Sequence, residues 1–301
     1  MKLKDLFPLA EDGDTEITGM TADSRKVQPG FLFAALQGTE SDGRKFVPQA
    51  VEAGAAAILS DGGVEKVPVP HVIADEPRLA LALAAKRFYA SQPKTVVAIT
   101  GTNGKSSTVD FLRQIWTRAG LGAASMGTLG AIGPAGKIDV GHTTPDPVTI
   151  HETLRELGRQ GVTHGAMEAS SHGLEQFRLD GVDLAAVAFL NFTQDHLDYH
   201  GDMNSYWLCK KRMFTEYLPS GPKKERALAV INRDNPKGRE LFNILPVRGI
   251  STGHSADNTI WPKNIRHDLS GIAGNISTPA GSFDFRSPLV GKHNIENILS
   301  A

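Results

Sequence analysis

A glycine-rich segment directly after a short apolar run has the residue types that bind nucleotide phosphates. The run TVVAIT, from Thr95 to Thr100, predicts a strand, and apolar residues at helical spacing follow from Val109 onward. In a strand, loop and helix of this kind, backbone N–H groups and the helix N-terminus bind phosphate oxygens. We therefore expect a nucleotide at the loop Gly101, Thr102, Asn103, Gly104, Lys105, Ser106 and Ser107.

Within this loop, Lys105 would reach the outer phosphates and the Ser106 hydroxyl would coordinate Mg²⁺. The alternative, a plain glycine turn with a solvated lysine, is disfavoured by the strand before the loop and the amphipathic helix after it. The common G-x-x-x-x-G-K-[ST] pattern would require its first glycine at the position of Ile99. The loop is therefore a shorter variant, TGTNGKS.

A second group of polar residues follows two further predicted strands. The run THGAMEA carries Glu168 at its end, and LAAVAFLNF leads into the loop TQDHLDYHG, which contains His196. Ligands of parallel sheets bind at the carboxyl ends of the strands, and carboxylate oxygens suit Mg²⁺. We expect Glu168 and His196 to be metal ligands, although the loop alone would be typical of polar surface. Lys210, in the helical segment SYWLCKKRMF, would by itself be an ordinary solvated charge.

The elements that must position these residues form an α/β pattern. Short apolar runs alternate with helical segments along the chain, which favours a mainly parallel sheet. In the first region, FLFAAL and AAAILS predict strands, and FVPQAVEAGA and PRLALALAAKRFYAS predict helices. The sequence Ser91-Gln92-Pro93 separates this region from the next one. We therefore predict an N-terminal α/β domain over 1–91 and a nucleotide-binding α/β domain over 92–301, with short strands and turns from about Ser251 to Ser287.

The bulk composition excludes several classes of partner. The chain of 301 residues has 32 basic and 33 acidic side chains, so it lacks the positive excess of phosphate-backbone binders, and we expect no nucleic acid. No apolar stretch is long enough to span a bilayer. A single cysteine, Cys209, and a start without the apolar core of a secretory signal predict a cytoplasmic protein.

Together the motifs resemble the Mur ligase superfamily, and EASSHGL and DHLDYHG are similar to its diamino-acid-adding branch. The resemblance runs from about residue 20 to the end and implies catalytic roles for Lys105, Glu168, His196 and Lys210. It further implies that Lys210 is carbamylated to N6-carboxylysine, with Lys211 as the neighbour most easily confused with it. Carbamylation would turn a cation into an anionic metal ligand. Two Mg²⁺ ions are implied, one on Ser106 and the phosphates, the other on Glu168, His196 and Lys210.

The same resemblance implies binding sites for the substrates. The segments DSRK and GTESDGR of the first region look like uridine-binding segments, and Asn294 and Asn297 match asparagines that contact adenine in the family. The family continues into a third, amino-acid-binding domain, which we expect this chain to lack. Positions that match those binding a UDP-N-acetylmuramoyl dipeptide are Ser24, Thr39, Glu40, Ser41, Thr143, Thr144, Ser170, Gln176 and Arg178.

The implied activity is an ATP-dependent amide ligation in peptidoglycan biosynthesis. A diamino acid, meso-diaminopimelate or L-lysine, would be added to UDP-N-acetylmuramoyl-L-alanyl-D-glutamate through an acyl phosphate, by a protein that the family suggests is a monomer. Alternatives are a folylpolyglutamate synthase-like ligase, a non-catalytic module binding ATP and a UDP-sugar peptide, and a P-loop kinase or NTPase. The last would leave EASSHGL and DHLDYHG unexplained, and the first lacks the uridine-binding region.

Overall fold

The structure, a computed structural model, describes residues 1–10, 12–38 and 41–301. Its contacts divide the chain into two compact units. The first comprises Met1–Ser91, Asp146–Arg155 and Gln176–Val182, and the second comprises Gln92–Pro145, Glu156–Glu175 and Asp183–Ala301. The predicted domain limits, 1–91 and 92–301, stay a prediction. Within the described ranges, no helix is both long enough and apolar enough to cross a membrane.

The first unit contains a four-stranded parallel sheet in sequence order. The two runs predicted as strands form β2 and β3, with β3 buried along its whole length, as is typical of parallel sheets covered on both faces. The main core of this unit includes Leu32, Leu59 and Leu81. Its strands are β1 (Gly19–Thr21), β2 (Phe31–Ala34), β3 (Ala57–Ser60) and β4 (His71–Ile73), and its helices are α1 (Leu3–Leu6), α2 (Val47–Glu52) and α3 (Pro77–Tyr89).

Helix α3 shows how local sequence sets the limits of an element. Pro77 occupies its first turn, where a missing N–H costs no hydrogen bond and the fixed φ suits a helix. The helix ends at Tyr89, and the next residue, Ala90, has a left-handed φ of 49° and donates its N–H to the Lys86 carbonyl. Short 3₁₀ turns at Ser24–Lys26 and Gly43–Phe46 are each capped by an aspartate, Asp23 and Asp42.

The second unit is built on an eight-stranded sheet, in the order β12-β11-β10-β5-β9-β6-β7-β8. Its pairs are parallel from β12 to β6, and the last two strands join as antiparallel neighbours that the sequence had not indicated. The sheet therefore agrees with the predicted mainly parallel α/β class. Its strands are β5 (Thr95–Thr100), β6 (Ala123–Gly127), β7 (Gly130–Gly133), β8 (Gly136–Ile138), β9 (His164–Glu168), β10 (Leu184–Phe189), β11 (Leu228–Asn232) and β12 (Arg248–Thr252).

Helices connect these strands, and α4 packs on the sheet through Val109 and Leu112, beside Ile99 of β5. The segment predicted as one helix around Lys210 is α-helical to Arg212 and continues as a π-helical turn over Met213–Tyr217. Helix α5 (Pro147–Arg159) belongs to the first unit up to Arg155 and to the second from Glu156. The other helices are α4 (Lys105–Arg118), α6 (Ser171–Glu175), α7 (Leu197–His200), α8 (Met203–Arg212), α9 (Leu218–Ser220), α10 (Pro236–Asn243) and α11 (Lys292–Ser300).

The segment from Ser251 to Ser287 is more regular than the predicted short strands and turns. It contains a three-stranded antiparallel sheet, β13 (Trp261–Asp268), β14 (Gly271–Thr278) and β15 (Gly281–Ser287). Its inner face packs Ile272 and Ile276 against Ile295 and Leu299 of α11. Glycine, serine and asparagine are frequent here, which explains why the sequence indicated only short strands and turns.

Candidate functional site

The loop from β5 to α4 has the backbone form of a phosphate-binding loop. Gly104 precedes the helix with a φ of +89°, a left-handed conformation that favours glycine. A Cβ atom at this position would lie 2.2 Å from Oδ1 of Asn297, so a larger residue would collide with that side chain. The predicted adenine-contacting Asn297 is therefore adjacent to the phosphate loop.

The loop that follows β10 holds the phosphate loop in place. The Asn191 side chain accepts a hydrogen bond from the Asn103 backbone N–H at 2.9 Å and donates one to the Asn103 carbonyl at 3.1 Å. The Thr102 hydroxyl lies 3.2 Å from the Thr193 carbonyl and 3.2 Å from the Tyr206 hydroxyl. Asn191 and Tyr206 were not predicted, because only the pairing of β5 with β10 brings their segments to the loop.

Lys105 is folded onto the loop that precedes it. Its Nζ donates to the carbonyls of Gly101 and Thr102, each at 2.9 Å. Burial lowers the pKa of the Lys105 ammonium, and the charges of Glu168 and Asp195 oppose that shift. The ammonium is therefore bound to two backbone carbonyls and attracted by the charges of two carboxylates. Ser106 and Ser107 form the first turn of α4 beside it and are both partly exposed.

Glu168 ends β9 with only 2% of its surface exposed. Its Oε1 accepts a hydrogen bond from the Thr128 N–H at 2.8 Å. A Cβ on Gly127 would lie 2.0 Å from the same oxygen, so the carboxylate occupies the space that this glycine leaves open. Gly127 and Thr128 were not predicted. Glu168 and Ser106 line one pocket, together with Asp110, so two predicted metal ligands face a common space.

Three residues predicted to bind the substrate lie beside Glu168. The Thr144 hydroxyl donates to the Glu168 carbonyl at 2.9 Å and accepts from the Ser170 N–H at 3.0 Å, in a buried position. Thr143 lies 3.0 Å from the Thr128 hydroxyl, and Ser170 accepts the Gly173 N–H as the cap of α6. Thr144 therefore binds the backbone on both sides of the end of β9, at Glu168 and at Ser170. Thr143 is more exposed than Thr144.

His196 occupies an exposed corner in front of α7. Its φ is +51°, a left-handed conformation that is uncommon for a residue other than glycine, and its ring is 45% exposed. The ring pairs with Asp195 at 3.4 Å and lies 5.0 Å from the ring of His172. Asp195 also interacts electrostatically with Lys105 and with Lys210, so it belongs to the same charged cluster.

Lys210 is buried, contrary to what a lysine on a helix usually indicates. It is 1% exposed, and its Nζ donates to the Gly101 carbonyl at 3.0 Å while lying over the Tyr206 ring. Burial, reinforced by the nearby Lys105 charge, lowers the pKa of Lys210 to about 7. A substantial fraction of this amine is then neutral near physiological pH. The neighbouring Lys211 is partly exposed.

These residues form a set that suits hard divalent cations. Glu168, Asp110 and Asp195 provide carboxylate oxygens, the donor type that Mg²⁺ prefers, and Ser106 provides a hydroxyl. His196 and Lys210 are linked to this group through Asp195. The site residues stay predictions, and the residue types present fit a magnesium-dependent phosphate site.

The remaining predicted residues have simpler surroundings. Asn294 is buried, and its side chain donates to the Val290 carbonyl at 2.8 Å. In the first unit, Ser24 lies 3.4 Å from the Gln49 side chain, and Arg178 donates to Gln176 at 2.7 Å. Ser41 is exposed, whereas Thr39 and Glu40 lie outside the described residues.

Comparisons with known families and structures identify the family and the fold. The profile of the Mur ligase middle domain matches residues 99–301, and that of the Mur ligase family catalytic domain matches residues 16–89. Among solved structures, a UDP-N-acetylmuramoyl-L-alanyl-D-glutamate–2,6-diaminopimelate ligase superposes with a TM-score of 0.87 at 27% identity, covering 100% of this chain and 62% of that one. A MurF ligase from Thermotoga maritima, solved with ADP, shares the fold at a TM-score of 0.64 and 17% identity, covering 95% of this chain and 61% of its own.

The similarity to curated relatives extends along the whole chain. A 2,6-diaminopimelate ligase of the same name from Caulobacter vibrioides is 49% identical over 100% of this chain and 63% of its own length. One from Mesorhizobium japonicum is 42% identical over 99% of this chain and 63% of its own length. The chain thus spans slightly less than two thirds of these relatives. Since one profile alone covers most of the chain, and its limits enclose the phosphate loop, Glu168 and Lys210, the chain belongs to the Mur ligase family.

Proposed function

We propose that this chain provides the ATP site and the UDP-sugar-peptide site of a ligase that adds a diamino acid to UDP-N-acetylmuramoyl-L-alanyl-D-glutamate. The observation that carries this proposal is the buried, partly neutral Lys210 against the phosphate loop, in one cluster with Lys105 and Asp195. The relatives are named as 2,6-diaminopimelate ligases, which favours that amino acid over L-lysine. The pathway would be peptidoglycan biosynthesis.

ATP would bind with its phosphates on Gly101 to Ser107. The N-terminus of α4 and Lys105 supply positive charge there, and Asn297, whose side chain lies beside Gly104, would contact the nucleotide. Magnesium would be held by Ser106, Glu168, His196 and carbamylated Lys210, and it would neutralise phosphate charge during transfer. Asp195 and Asp110 are further carboxylates within this cluster.

The surroundings of Lys210 support the proposed carbamylation. A carbamate forms when a neutral amine attacks CO₂, so an exposed lysine near pH 7, almost fully protonated, reacts poorly. Burial lowers the pKa of Lys210 to about 7 and thereby provides the neutral amine. The product is an anion, which would remove the repulsion between Lys210 and Lys105 and add an oxygen ligand for a cation.

The reaction would occur in two steps. A carboxylate oxygen of the D-glutamyl residue attacks the γ-phosphorus of ATP, the bond to the bridging oxygen breaks, and ADP leaves. The amine of the diamino acid then attacks the acyl carbon, and inorganic phosphate leaves with the formation of an amide. Lys105 would stabilise the charge that develops on the transferred phosphoryl group. Thr143, Ser170, Gln176 and Arg178 would hold the muramoyl dipeptide, since an arginine fork binds carboxylates through two parallel hydrogen bonds.

Ser24 and Ser41 of the first unit, together with Thr39 and Glu40, would contact the uridine part of the substrate. We further propose that the protein is a cytoplasmic monomer. Under this proposal, 1–91 is the UDP-substrate-binding domain and 92–301 is the ATP-binding domain.

Calorimetric titration tests the substrate assignment. In the presence of Mg²⁺ and a non-hydrolysable ATP analogue, UDP-N-acetylmuramoyl-L-alanyl-D-glutamate should bind, and Arg178→Ala should weaken it by about tenfold, a loss of about 1.4 kcal/mol. Saturable binding without turnover by a longer chain containing these residues would favour a non-catalytic module. Absence of binding by a folded chain would overturn the substrate assignment.

Carbamylation is tested separately with ¹³C-labelled bicarbonate. One carbamate resonance should appear, disappear in Lys210→Gln and persist in the matched control Lys211→Gln. A resonance that survives Lys210→Gln would refute the assignment of the modified residue.

A further inference from the structure

Three side chains that could bind a metal meet on the second unit outside the predicted ATP and magnesium site. Glu175 is the last residue of α6, His200 is the last residue of α7, and Cys209 lies in α8. We call them the Glu–His–Cys cluster. None of the three has a role in the proposed ligation.

The distances within the cluster are slightly longer than those of a tetrahedral coordination shell. The His200 Nδ1 atom lies 3.9 Å from the Cys209 Sγ and 3.5 Å from the Glu175 Oε2. One ligand atom from each of the three residues lies within 4.8 Å of the other two. Zinc bonded at about 2.0 Å to nitrogen and oxygen and at about 2.3 Å to sulfur requires ligand atoms about 3.3–3.6 Å apart. Small side-chain rotations would therefore bring the three atoms onto one ion.

The imidazole of His200 is already fixed in the orientation that such an ion needs. Its side chain is 0% exposed, and its ring is packed between those of Tyr199, at 4.9 Å, and Tyr206, at 5.1 Å. Its Nε2 has no hydrogen-bond partner among the described residues, whereas Nδ1 faces the other two side chains. Because the His200 side chain is already ordered, a metal ion that binds it would lose less side-chain entropy than one that binds a mobile histidine.

The remaining two ligands make the site open and chemically selective. The Glu175 side chain is 46% exposed, so solvent reaches the cluster and could supply a fourth ligand. Thiolate and imidazole ligands favour Zn²⁺ and Co²⁺, whereas Mg²⁺ binds oxygen ligands almost exclusively. The composition of the cluster therefore separates its ion from the magnesium ions of the ATP site.

We propose that Glu175, His200 and Cys209 form a binding site for one transition-metal ion of the Zn²⁺ class, with three protein ligands and an open fourth position. The ion would join α6, α7 and α8. It would also be close to the proposed reaction, because Cys209 directly precedes Lys210 and His200 lies one helical turn after His196. Occupancy would thus restrain the two segments that carry predicted magnesium ligands.

The single cysteine of the chain gives a direct test. The rate at which Cys209 is alkylated by iodoacetamide is measured by intact mass on the folded protein, with and without one equivalent of ZnCl₂. Zn²⁺ should slow alkylation by at least about tenfold, because a metal-bound thiolate is blocked, and Mg²⁺ at millimolar concentration should not. Glu175→Gln removes one of the three ligands and should weaken this protection by at least about tenfold, since the loss of a group that only orients a ligand already costs about 10–100-fold in affinity.

Cobalt substitution identifies the ligands independently. Co²⁺ should bind once at this cluster and produce a sulfur-to-cobalt charge-transfer band, which Cys209→Ala should abolish. The second group of acidic and histidine side chains, Asp234, His254 and Glu296, contains no sulfur and supplies the control variant His254→Ala, which should keep the band. Unchanged alkylation with Zn²⁺, or a cobalt spectrum that is the same in wild type and Cys209→Ala, would overturn the proposal.

Discussion

Replacing Gly127 by alanine should displace the predicted metal ligand Glu168. An added Cβ would lie 2.0 Å from Oε1, 2.5 Å from Cδ and 2.6 Å from Cγ of Glu168. Because the contact includes Cγ, rotation of the terminal carboxylate alone cannot relieve it. The whole side chain must move, and Oε1 then loses the hydrogen bond from the Thr128 N–H. The loss of such a charge-assisted bond costs about 1.5–3 kcal/mol.

The matched control is Gly165→Ala, in the strand that carries Glu168. There a Cβ would meet only Pro93, at an ordinary 3.9 Å. Both substitutions remove backbone freedom from the unfolded chain, which stabilises by about 0.4–1 kcal/mol and cancels in the comparison. Gly127→Ala should therefore be about 1.5–3 kcal/mol less stable than Gly165→Ala, measured as the free energy of unfolding in urea.

A double-mutant cycle with Glu168→Ala isolates the cause. In that background the side chain that collides is gone, so Gly127→Ala should cost no more than Gly165→Ala. Gly127→Ala should also weaken binding of an ATP analogue with Mg²⁺ in calorimetry, whereas Gly165→Ala should not. Equal stability of the two glycine variants, or a cost that persists without Glu168, would refute the reasoning.

Three other changes test the loop contacts and the first unit. Asn191→Ala removes both side-chain bonds to Asn103 and should weaken ATP-analogue binding about tenfold in calorimetry; an unchanged affinity would contradict the bracing role. Tyr206→Phe removes the hydroxyl contact with Thr102 and should lower the free energy of unfolding by about 1 kcal/mol in urea titrations; an unchanged free energy would show that this contact does not stabilise the fold. Burial lowers the pKa of His71, so the unfolded chain binds its proton more readily, and stability should fall as the pH drops below about 6.5. His71→Asn should flatten this slope in denaturation curves between pH 5 and 8, and an unchanged slope would assign it to other groups.

The elements around the phosphate loop could be predicted because their signals are local. A strand, a glycine loop and an amphipathic helix follow one another in the chain, and the structure has them as β5, the loop and α4. Glu168 at the end of β9 was predicted for the same reason, since a short apolar run marks its strand. In each case a few adjacent residues determine the conformation.

The contacts that hold these residues could not be predicted, because they depend on pairing between distant strands. Gly127 reaches Glu168 only because β6 and β9 are parallel neighbours, with Met126 opposite Met167. Asn191 reaches the phosphate loop only through the pairing of β5 with β10. The burial of Lys210 has a similar origin, since a lysine in a short helix gives no sign of what will cover it. Only the family resemblance singled it out.

The bonds between the phosphate loop and the loop after β10 have a thermodynamic consequence. Asn191 and Thr193 contact Asn103 and Thr102, and the same short segment continues into Asp195 and His196. A nucleotide that orders the phosphate loop therefore also helps to order the loop after β10, and the two equilibria are coupled. By linkage, a cation held at His196 must raise the affinity for nucleotide by the same factor by which the nucleotide raises the affinity for that cation.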